Sequence, residues 1–232
     1  MNRNVEVFSY QLKKQRQRKT VTFIIFLITL YVFINIMTTF VVCPVRQNST
    51  SMIPDIPEKS IVMTFPAASV YTRGDVVLLE PQYKKTASFA MRSLDRFVKF
   101  FTAQQISLLE DPLQPSSKSH IRRVVGVPGD TIYMRDYVLY IKPQGERLFL
   151  TEFEITDKSY NVTFYVPPAD WDTEISVKGS FDEVYLGPDQ YFVLADNRKS
   201  SDDSRLWGTI KKENIKAKVL FCYFPFNSFR MY

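Results

Sequence analysis

Three short segments of this chain concentrate hydroxyl and charged side chains that could do chemistry. They cover residues 49–54 (STSMIP), 122–130 (RRVVGVPGD) and 195–208 (ADNRKSSDDSRLWG). A serine hydroxyl is a weak nucleophile that requires a base, so serine-dependent hydrolysis is the chemistry that such segments could support together. Taken singly, each segment also has an ordinary interpretation: a linker, a turn and a solvated loop. The elements that would position the three segments are therefore considered next.

Metal and cofactor chemistry receives no support from the composition. The chain contains one histidine and two cysteines, so the usual ligands of a zinc site are missing. We expect neither a metal nor a cofactor. Cys43 and Cys222 are predicted to be buried thiols, and a disulfide between them remains an alternative.

Most of the net positive charge of the chain lies in its first twenty residues. The whole sequence has a formal charge of +6, and residues 1–20 alone carry six basic residues against one acidic residue. Residues 21–232 therefore carry a net charge of only +1. A protein that binds nucleic acid is expected to spread basic residues over a folded face, so we expect no nucleic acid partner.

An uncharged apolar stretch follows the basic tail. No charged residue occurs between Lys19 and Arg46, and the most apolar part is residues 21–42. About 20 apolar residues in a helix span the hydrocarbon core of a bilayer, so a single transmembrane helix is predicted over 21–42. The positive-inside rule places the basic tail, residues 1–20, in the cytoplasm. Residues 43–232 are then expected on the other side of the membrane.

The rest of the chain has the pattern of a mainly β domain. Short runs rich in Val, Ile, Tyr and Phe are bounded by Gly, Pro, Asp and Asn, which is typical of strands joined by turns. The predicted strands are 75–80, 122–127, 131–134, 137–141, 191–194 and 217–223. Several short strands with turns between them favour an all-β body folded on itself.

Two segments interrupt this pattern. Between about 87 and 110, apolar residues recur at helical spacing, with Ser88 as the predicted N-cap. This helical insertion either packs on the β body or docks on a membrane or partner, since it also carries Arg92, Arg96 and Lys99. The second segment, about 143–190, is rich in Pro, Asp and Tyr and is predicted to be a small β extension.

In this order behind an N-terminal anchor, the three segments resemble the type I signal peptidases, the membrane-bound serine proteases that remove signal peptides. The similarity runs from the anchor to about Phe226. Segment 195–208 is the most specific, since it contains Asp-Asn-Arg, Ser-x-Asp-Ser-Arg and Trp-Gly at the spacing of that family. The Ser-Met-x-Pro and Val-Gly-x-Pro-Gly-Asp elements agree with it. The resemblance implies a signal-peptidase-like β body with a helical insertion, behind one transmembrane helix.

The resemblance also implies roles for individual residues. Ser51 corresponds to the nucleophile, and its backbone N–H together with the Ser49 hydroxyl would form the oxyanion hole. Met52 and Pro54 would shape the backbone beside the substrate. Ser201 resembles the serine that positions the general base.

Four charged residues of the third segment are expected to support this site. By the resemblance, Asp203 and Arg205 are paired charges that brace the loop, and Asp196 and Arg198 brace the same region.

The sequence departs from the family pattern at Arg122, which stands where the family has its general-base lysine. A guanidinium has a pKa above about 12 and does not give up its proton in a protein. Three hypotheses follow. The enzyme uses another base, for which His120 is the candidate because it lies two residues away on the same strand face. Alternatively, the chain is a weak or inactive paralogue that binds signal peptides, or a partner completes its site.

The expected function is endoproteolytic removal of N-terminal signal peptides from exported preproteins. The expected partners are preprotein signal peptides, the lipid bilayer and the protein-export machinery. The predicted location is the inner or plasma membrane, with the catalytic domain outside the cytoplasm.

Overall fold

The computed structural model describes residues 2–79, 88–109, 120–164, 179–199 and 202–232. The helices are α1 (Asn2–Phe40), α2 (Phe89–Phe101), α3 (Glu152–Ile155) and α4 (Ser204–Trp207). The strands are β1 (Cys43–Arg46), β2 (Ile61–Phe65), β3 (Val76–Leu79), β4 (His120–Gly126), β5 (Thr131–Arg135), β6 (Val138–Lys142), β7 (Leu150–Thr151), β8 (Phe181–Tyr185), β9 (Gln190–Leu194), β10 (Ile210–Lys211), β11 (Ile215–Phe224) and β12 (Arg230–Met231). Outside α1, the described part of the chain is therefore mainly β.

The N-terminal 39 residues after Met1 form one continuous helix, α1. Within its segment Lys14–Met37, an 18-residue window has a mean hydropathy of 2.3, and the helix is long and apolar enough to cross a membrane. Nearly all side chains of this segment are exposed rather than packed against the body. A helix that is apolar all round and unburied suits a lipid surrounding. The predicted stretch 21–42 thus lies almost wholly within a longer helix.

A curled antiparallel sheet of eight strands forms most of the body. Its strand order is β1-β2-β11-β3-β4-β9-β10, and β12 pairs with β11. The ten-residue strand β11 joins the two halves of the sheet, because it pairs with β2 along one edge and β3 along the other. Register shifts along both pairings bend this strand, as β-bulges generally do. The central strand β4 lies between β3 and β9.

A second antiparallel sheet has the order β7-β6-β5-β8. Its core residues Ile132, Met134, Leu139 and Ile141 pack with Phe192 of the large sheet in one buried cluster. The predicted β extension at about 143–190 supplies β7 and β8, but the sheet already begins at Thr131. Residues 165–178 of that extension lie outside the described residues.

The predicted helical insertion is present as α2, and it is shorter than the expected span of about 87–110. The Ser88 side chain accepts a hydrogen bond from the backbone N–H of Met91 at 3.3 Å, so Ser88 is the N-cap. The helix ends at Phe101, ahead of Ala103 and Gln104, which both have positive φ. Non-glycine residues seldom adopt this left-handed conformation, which cannot continue an α-helix.

Both cysteines are buried and free, as the composition favoured. Burial raises the pKa of the Cys43 and Cys222 thiols.

Candidate active site

Ser51 lies in a short 3-10 turn, Thr50–Met52, that follows β1. The neighbouring Met52 is completely buried in the main core cluster and fixes the turn on the sheet. The loop after β9 holds the other side of the turn. The Asn197 backbone N–H donates to Ser51 O at 2.9 Å, and Asn197 Nδ2 donates to Thr50 O at 3.2 Å. The first and third sequence segments are therefore in direct contact.

Ser51 is only 2% exposed. Among the described residues, its hydroxyl oxygen has three hydrogen-bond neighbours. Ser49 Oγ lies at 2.8 Å, Arg122 Nη1 at 2.9 Å and Gln47 Nε2 at 3.2 Å. The guanidinium and amide nitrogens can only donate. Since both donate to Ser51 Oγ, Ser49 Oγ is the neighbour that can accept the proton of Ser51. Gln47 Nε2 also donates to Ser49 Oγ at 3.2 Å.

Arg122 brings the second segment to the same point. It lies on β4 and is 1% exposed. Its Nε donates to the backbone oxygen of Asp202 at 2.7 Å, and its Nη1 also donates to Ile121 O at 2.6 Å. The guanidinium lies 5.7 Å from the centroid of the Trp207 ring. These contacts fix the guanidinium against Ser51 from several directions.

Two opposing effects act on the pKa of Arg122, namely its burial and the negative charges nearby. Burial lowers the pKa of the guanidinium, and the nearby carboxylates of Asp202 and Asp203 offset part of that effect. A guanidinium starts from a pKa above about 12, so it remains protonated at physiological pH. Arg122 can hold and polarise Ser51 Oγ, but it cannot receive the serine proton.

His120 shares the strand face of Arg122 and is placed by the same loop. Its Nδ1 lies 3.2 Å from Asp202 Oδ2, and its ring centroid lies 5.4 Å from that of Trp207. The same Asp202 oxygen lies 3.6 Å from Arg122 Nη2. Asp202 thus links His120 to the guanidinium that contacts Ser51. Within the described chain, the Ser51 hydroxyl forms hydrogen bonds with Arg122, Gln47 and Ser49.

The predicted pair Asp203 and Arg205 is present. Arg205 donates from Nε to Asp203 Oδ1 at 2.9 Å and from Nη2 to Asp203 Oδ2 at 2.7 Å. Asp203 also caps α4 and accepts from the Ala195 backbone N–H at 3.1 Å. Arg205 Nη1 donates to Arg198 O at 2.9 Å. This bidentate pair ties both ends of the loop together.

Asp196 and Arg198 support the region through separate ion pairs. Asp196 accepts two hydrogen bonds from Arg123, at 2.8 and 2.6 Å. Arg198 pairs with Glu152 of α3 at 2.5 Å. Arg123 also donates to Asp55 at 2.9 Å, so it connects the third segment to the chain just after Ser51. All of these side chains are buried.

Several residues of the site carried no recognised signal in the sequence. Gln47 precedes Ser51 by four residues and lies in a short polar stretch whose sequence is typical of a linker. Asp202 lies inside the third segment but was not distinguished from its neighbours. Glu152 comes from the β extension, and its partner Tyr160 donates to Glu152 Oε2 at 3.0 Å. Burial raises the pKa of Tyr160, and the Glu152 charge adds to this effect.

Two further points concern Ser201 and metal ligands. Ser201 lies outside the described residues, so its predicted role stays a prediction. The described residues contain no group of three or more His, Cys, Asp or Glu side chains that could hold a metal ion.

Comparison with known proteins gives consistent similarities. The chain is 28% identical to signal peptidase I of Bacillus amyloliquefaciens over 153 residues, which cover 66% of this chain and 74% of that protein. It is 32% identical to signal peptidase I of Bacillus licheniformis over 115 residues, covering 48% of this chain and 54% of that protein. It is 33% identical to signal peptidase IB of Staphylococcus aureus over 117 residues, covering 48% and 56%. The matches thus span about half the length of the last two relatives.

A crystal structure of a signal peptidase I from Enterococcus faecalis V583 has 19% sequence identity to this chain, with a TM-score of 0.32. The match covers 65% of this chain and 97% of that one. The sequence pattern of the family described as signal peptidase, peptidase S26, matches residues 18–224. Because this match covers most of the chain, including the apolar part of α1 and all three site segments, the chain belongs to the signal peptidase family, peptidase S26.

Proposed function

We propose that this protein is a membrane-anchored serine endopeptidase that removes N-terminal signal peptides from exported preproteins. The observation that carries the proposal is the position of Ser51 Oγ between Ser49 Oγ, at 2.8 Å, and Arg122 Nη1, at 2.9 Å. A buried serine held by a second hydroxyl and a fixed cation has the components of a nucleophile beside an oxyanion site. Family membership supports the same activity.

In this mechanism, Ser51 Oγ attacks the scissile carbonyl carbon of the signal peptide. The Ser51 backbone N–H and the Ser49 hydroxyl donate to the developing oxyanion. Arg122 stabilises negative charge on Ser51 Oγ during attack, because its guanidinium is fixed at hydrogen-bond distance and stays charged. Preorganised donors in a site that excludes water are worth more than the same donors in solvent.

The base in this proposal is His120, reached from Ser51 through one water molecule. Residues two apart on a strand are separated by about 6–7 Å, which a bridging water can span. The Ser51 proton passes to this water as the water gives a proton to His120, and His120 later returns a proton to the leaving amine. Asp202 at Nδ1 orients the ring so that the other nitrogen serves as the base. Ser201 is assigned to positioning this base.

A second candidate function is signal-peptide binding without cleavage. It is favoured by the fact that Arg122 and Gln47 both donate to Ser51 Oγ and neither can take its proton. Such a protein would bind the signal peptide at the same site and would hold a carbonyl oxygen of the peptide at Ser49 and Ser51.

The location in this proposal follows from α1. The apolar stretch 21–42 that begins within this helix crosses the inner or plasma membrane, and the basic residues of the tail 1–20 remain on the cytoplasmic side. The β body then faces the exported preproteins on the outer side. Access to their cleavage sites places the body beside the protein-export machinery.

Cleavage of a synthetic preprotein by the purified full chain in detergent tests the proposal. Wild type is compared with Ser51→Ala, His120→Ala, Arg122→Lys and the control Ser69→Ala, which alters an exposed serine in the β2–β3 loop. The proposal requires wild-type and Ser69→Ala cleavage, and its loss in Ser51→Ala and His120→Ala. Cleavage that survives in His120→Ala would reject His120 as the base. Activity confined to Arg122→Lys, with preprotein binding by wild type, would establish the second candidate.

A further inference from the structure

Helix α2 presents an exposed apolar stripe that the catalytic proposal does not use. Met91, Leu94, Val98 and Phe101 recur at intervals of three or four residues, so they lie on one helical face. Met91 and Leu94 are each 45% exposed, and Phe101 is 63% exposed. Large apolar side chains grouped on an exposed face generally mark an interaction surface.

The same helix is joined to the membrane-spanning part of α1 by a polar contact. Ser93 Oγ donates to Asn35 Oδ1 at 2.9 Å, and Ser93 Oγ lies 2.7 Å from Tyr31 Oη. Since the Ser93 hydrogen is used on Asn35, Tyr31 donates to Ser93. The aromatic rings of Tyr31 and Phe97 pack with centroids 5.2 Å apart. Helix α2 therefore satisfies the side-chain oxygen of Asn35, the one asparagine of the apolar stretch, while Asn35 Nδ2 donates to Tyr31 O at 2.9 Å within α1. A polar group inside a bilayer requires such partners.

This contact places α2 beside the C-terminal part of α1. Asn35 and Tyr31 precede Phe40, the last residue of α1, by five and nine residues. At 1.5 Å per residue they lie about 8 and 14 Å from the end of that helix. An interfacial helix buries its apolar face about 5–10 Å into the boundary between headgroups and acyl chains. The contact with Ser93 therefore holds α2 beside the outer part of the apolar stretch, where an interfacial helix inserts.

The polar residues of α2 and the segment after it also fit a helix lying at the membrane surface. Arg92, which is exposed, and Arg96, which is half-buried, lie on the side opposite the stripe, which suits contact with lipid phosphate groups. Asp95, the acidic residue of the helix, is buried and lies 3.2 Å from Lys99. Beyond the helix, Ala103 O accepts from the Arg46 backbone N–H at 3.0 Å. The helix is therefore attached both to the anchor and to the first strand of the body.

We infer that α2 is an interfacial membrane helix, whose apolar stripe enters the outer leaflet beside the anchor while its basic side contacts lipid headgroups. The inference rests on the proposed membrane anchor, and it is independent of whether Ser51 cleaves peptides. It makes α1 and α2 together, rather than α1 alone, the membrane-contacting unit. The β body is then held in a fixed orientation at the bilayer surface instead of swinging on a single helix.

The test is depth-dependent fluorescence quenching on the full chain in liposomes of phosphatidylcholine and phosphatidylglycerol. A bimane label is attached to Leu94→Cys on the stripe, to Phe26→Cys in α1, and to Leu148→Cys, an exposed apolar position on the β body (74% exposed). Wild type provides the labelling blank because both native cysteines are buried. Nitroxide lipids carry the quencher at a shallow or a deep acyl position.

The expected result is strong quenching of the Leu94 label by the shallow nitroxide, at least threefold above that of the Leu148 label. Phe26 lies about 16 Å from Met37 along the helix and is expected to respond most to the deep nitroxide. Quenching at position 26 with no difference between positions 94 and 148 would overturn the inference and leave the anchor intact. Absence of quenching at position 26 would overturn the proposed anchor and the inference with it. Loss of Ser51-dependent cleavage would affect neither result.

Discussion

Arg122 Nη1 donates a hydrogen bond to Ser51 Oγ at 2.9 Å, and both residues are almost completely buried. The cation occupies the place where the resemblance leads one to expect a neutral lysine amine. A fixed positive charge at this distance favours the alkoxide form of Ser51 but does not take its proton. The geometry thus separates two tasks that a single lysine would combine, namely holding the nucleophile and receiving its proton.

Arg122→Lys is expected to raise the cleavage rate by roughly tenfold or more. A buried lysine has a depressed pKa and can act as a base, and general-base catalysis contributes roughly 10²–10⁴-fold. The rate of this variant should rise with pH as the lysine loses its proton. Arg122→Met, which keeps the bulk without the charge, is the control and should be inactive. Equal rates for wild type and both variants would show that position 122 takes no part in the reaction.

Asp202→Asn is expected to lower the cleavage rate by about tenfold or more, because His120 loses the carboxylate 3.2 Å from its Nδ1. If the two residues act as one unit, their effects are not additive. The double variant Asp202→Asn/His120→Ala should then be no slower than His120→Ala alone. Asp182→Asn removes the carboxylate of an exposed ion pair with Arg135 and should leave the rate unchanged. Additive losses would separate Asp202 from His120.

Ser49→Ala is expected to lower kcat by roughly 10²–10³-fold with little change in KM, as for the loss of one oxyanion donor. The Ser49 hydroxyl lies 2.8 Å from Ser51 Oγ and is also held by Gln47. The measurement is steady-state cleavage of the synthetic preprotein, with Ser69→Ala as the control. A raised KM at unchanged kcat would instead assign Ser49 to substrate binding.

Arg123→Met is expected to destabilise the folded body by about 3–5 kcal/mol, because it leaves buried carboxylates without their cation. Arg123 binds Asp196 and Asp55, and its guanidinium lies 4.2 Å from the centroid of the Tyr160 ring. Arg135→Met removes an exposed pair and should cost less than about 1 kcal/mol. Urea unfolding in detergent micelles, followed by tryptophan fluorescence, measures both. Similar midpoints for the two variants would contradict the bracing role of Arg123.

Asp75 is expected to make the fold sensitive to acid. Burial works to raise the pKa of Asp75, but hydrogen bonds from Lys158, the Thr72 backbone and Lys218 outweigh it and lower the pKa below 3.8. A carboxyl with a lowered pKa stabilises the fold fully above its unfolded pKa, and this contribution is lost as pH falls through the folded pKa.

Unfolding free energies measured from pH 6 down to pH 3 test this expectation for Asp75. Wild type should lose stability below about pH 4, where the unfolded carboxyl begins to bind protons. Asp75→Asn should be about 1–3 kcal/mol less stable at pH 6, through loss of charged hydrogen bonds. Its stability should also fall less between pH 6 and pH 3. Parallel pH curves for the two proteins would show that Asp75 is not the source of the acid sensitivity.

The sequence predicted the elements well where the signal was local. Runs of β-branched and aromatic residues bounded by turn residues identified β3, β4, β5, β6, β9 and β11. Helical spacing and the Ser88 cap located α2, and the uncharged apolar stretch located the apolar part of α1, which is long enough to cross a membrane. The sequence did not indicate that strands β5 and β6 share a sheet with β8 of the predicted β extension, because the pairing of β5 with β8 joins residues about 50 apart. Such pairing leaves no periodic trace in either strand alone.

For the site, residue types and their order indicated the family, and through it that Ser49, Ser51 and Arg122 belong to one site. The pairing of Asp203 with Arg205 was also predictable, since the two residues are neighbours in the chain. The partners of Asp196 and Arg198 were not. They are Arg123 and Glu152, which lie 73 and 46 residues away and reach the loop through the two sheets.

The sequence by itself determined that this chain has an apolar helix, a mainly β body and an arginine in place of a lysine beside a serine. Those features depend on composition, periodicity and order along the chain. The tertiary structure decided that Arg122 donates to Ser51, that Asp202 joins Arg122 to His120, and that Ser93 of α2 donates to Asn35 Oδ1 of α1. Hydrogen bonds act over about 3 Å, so these partners are set by how the strands and helices pack and not by their separation in the sequence.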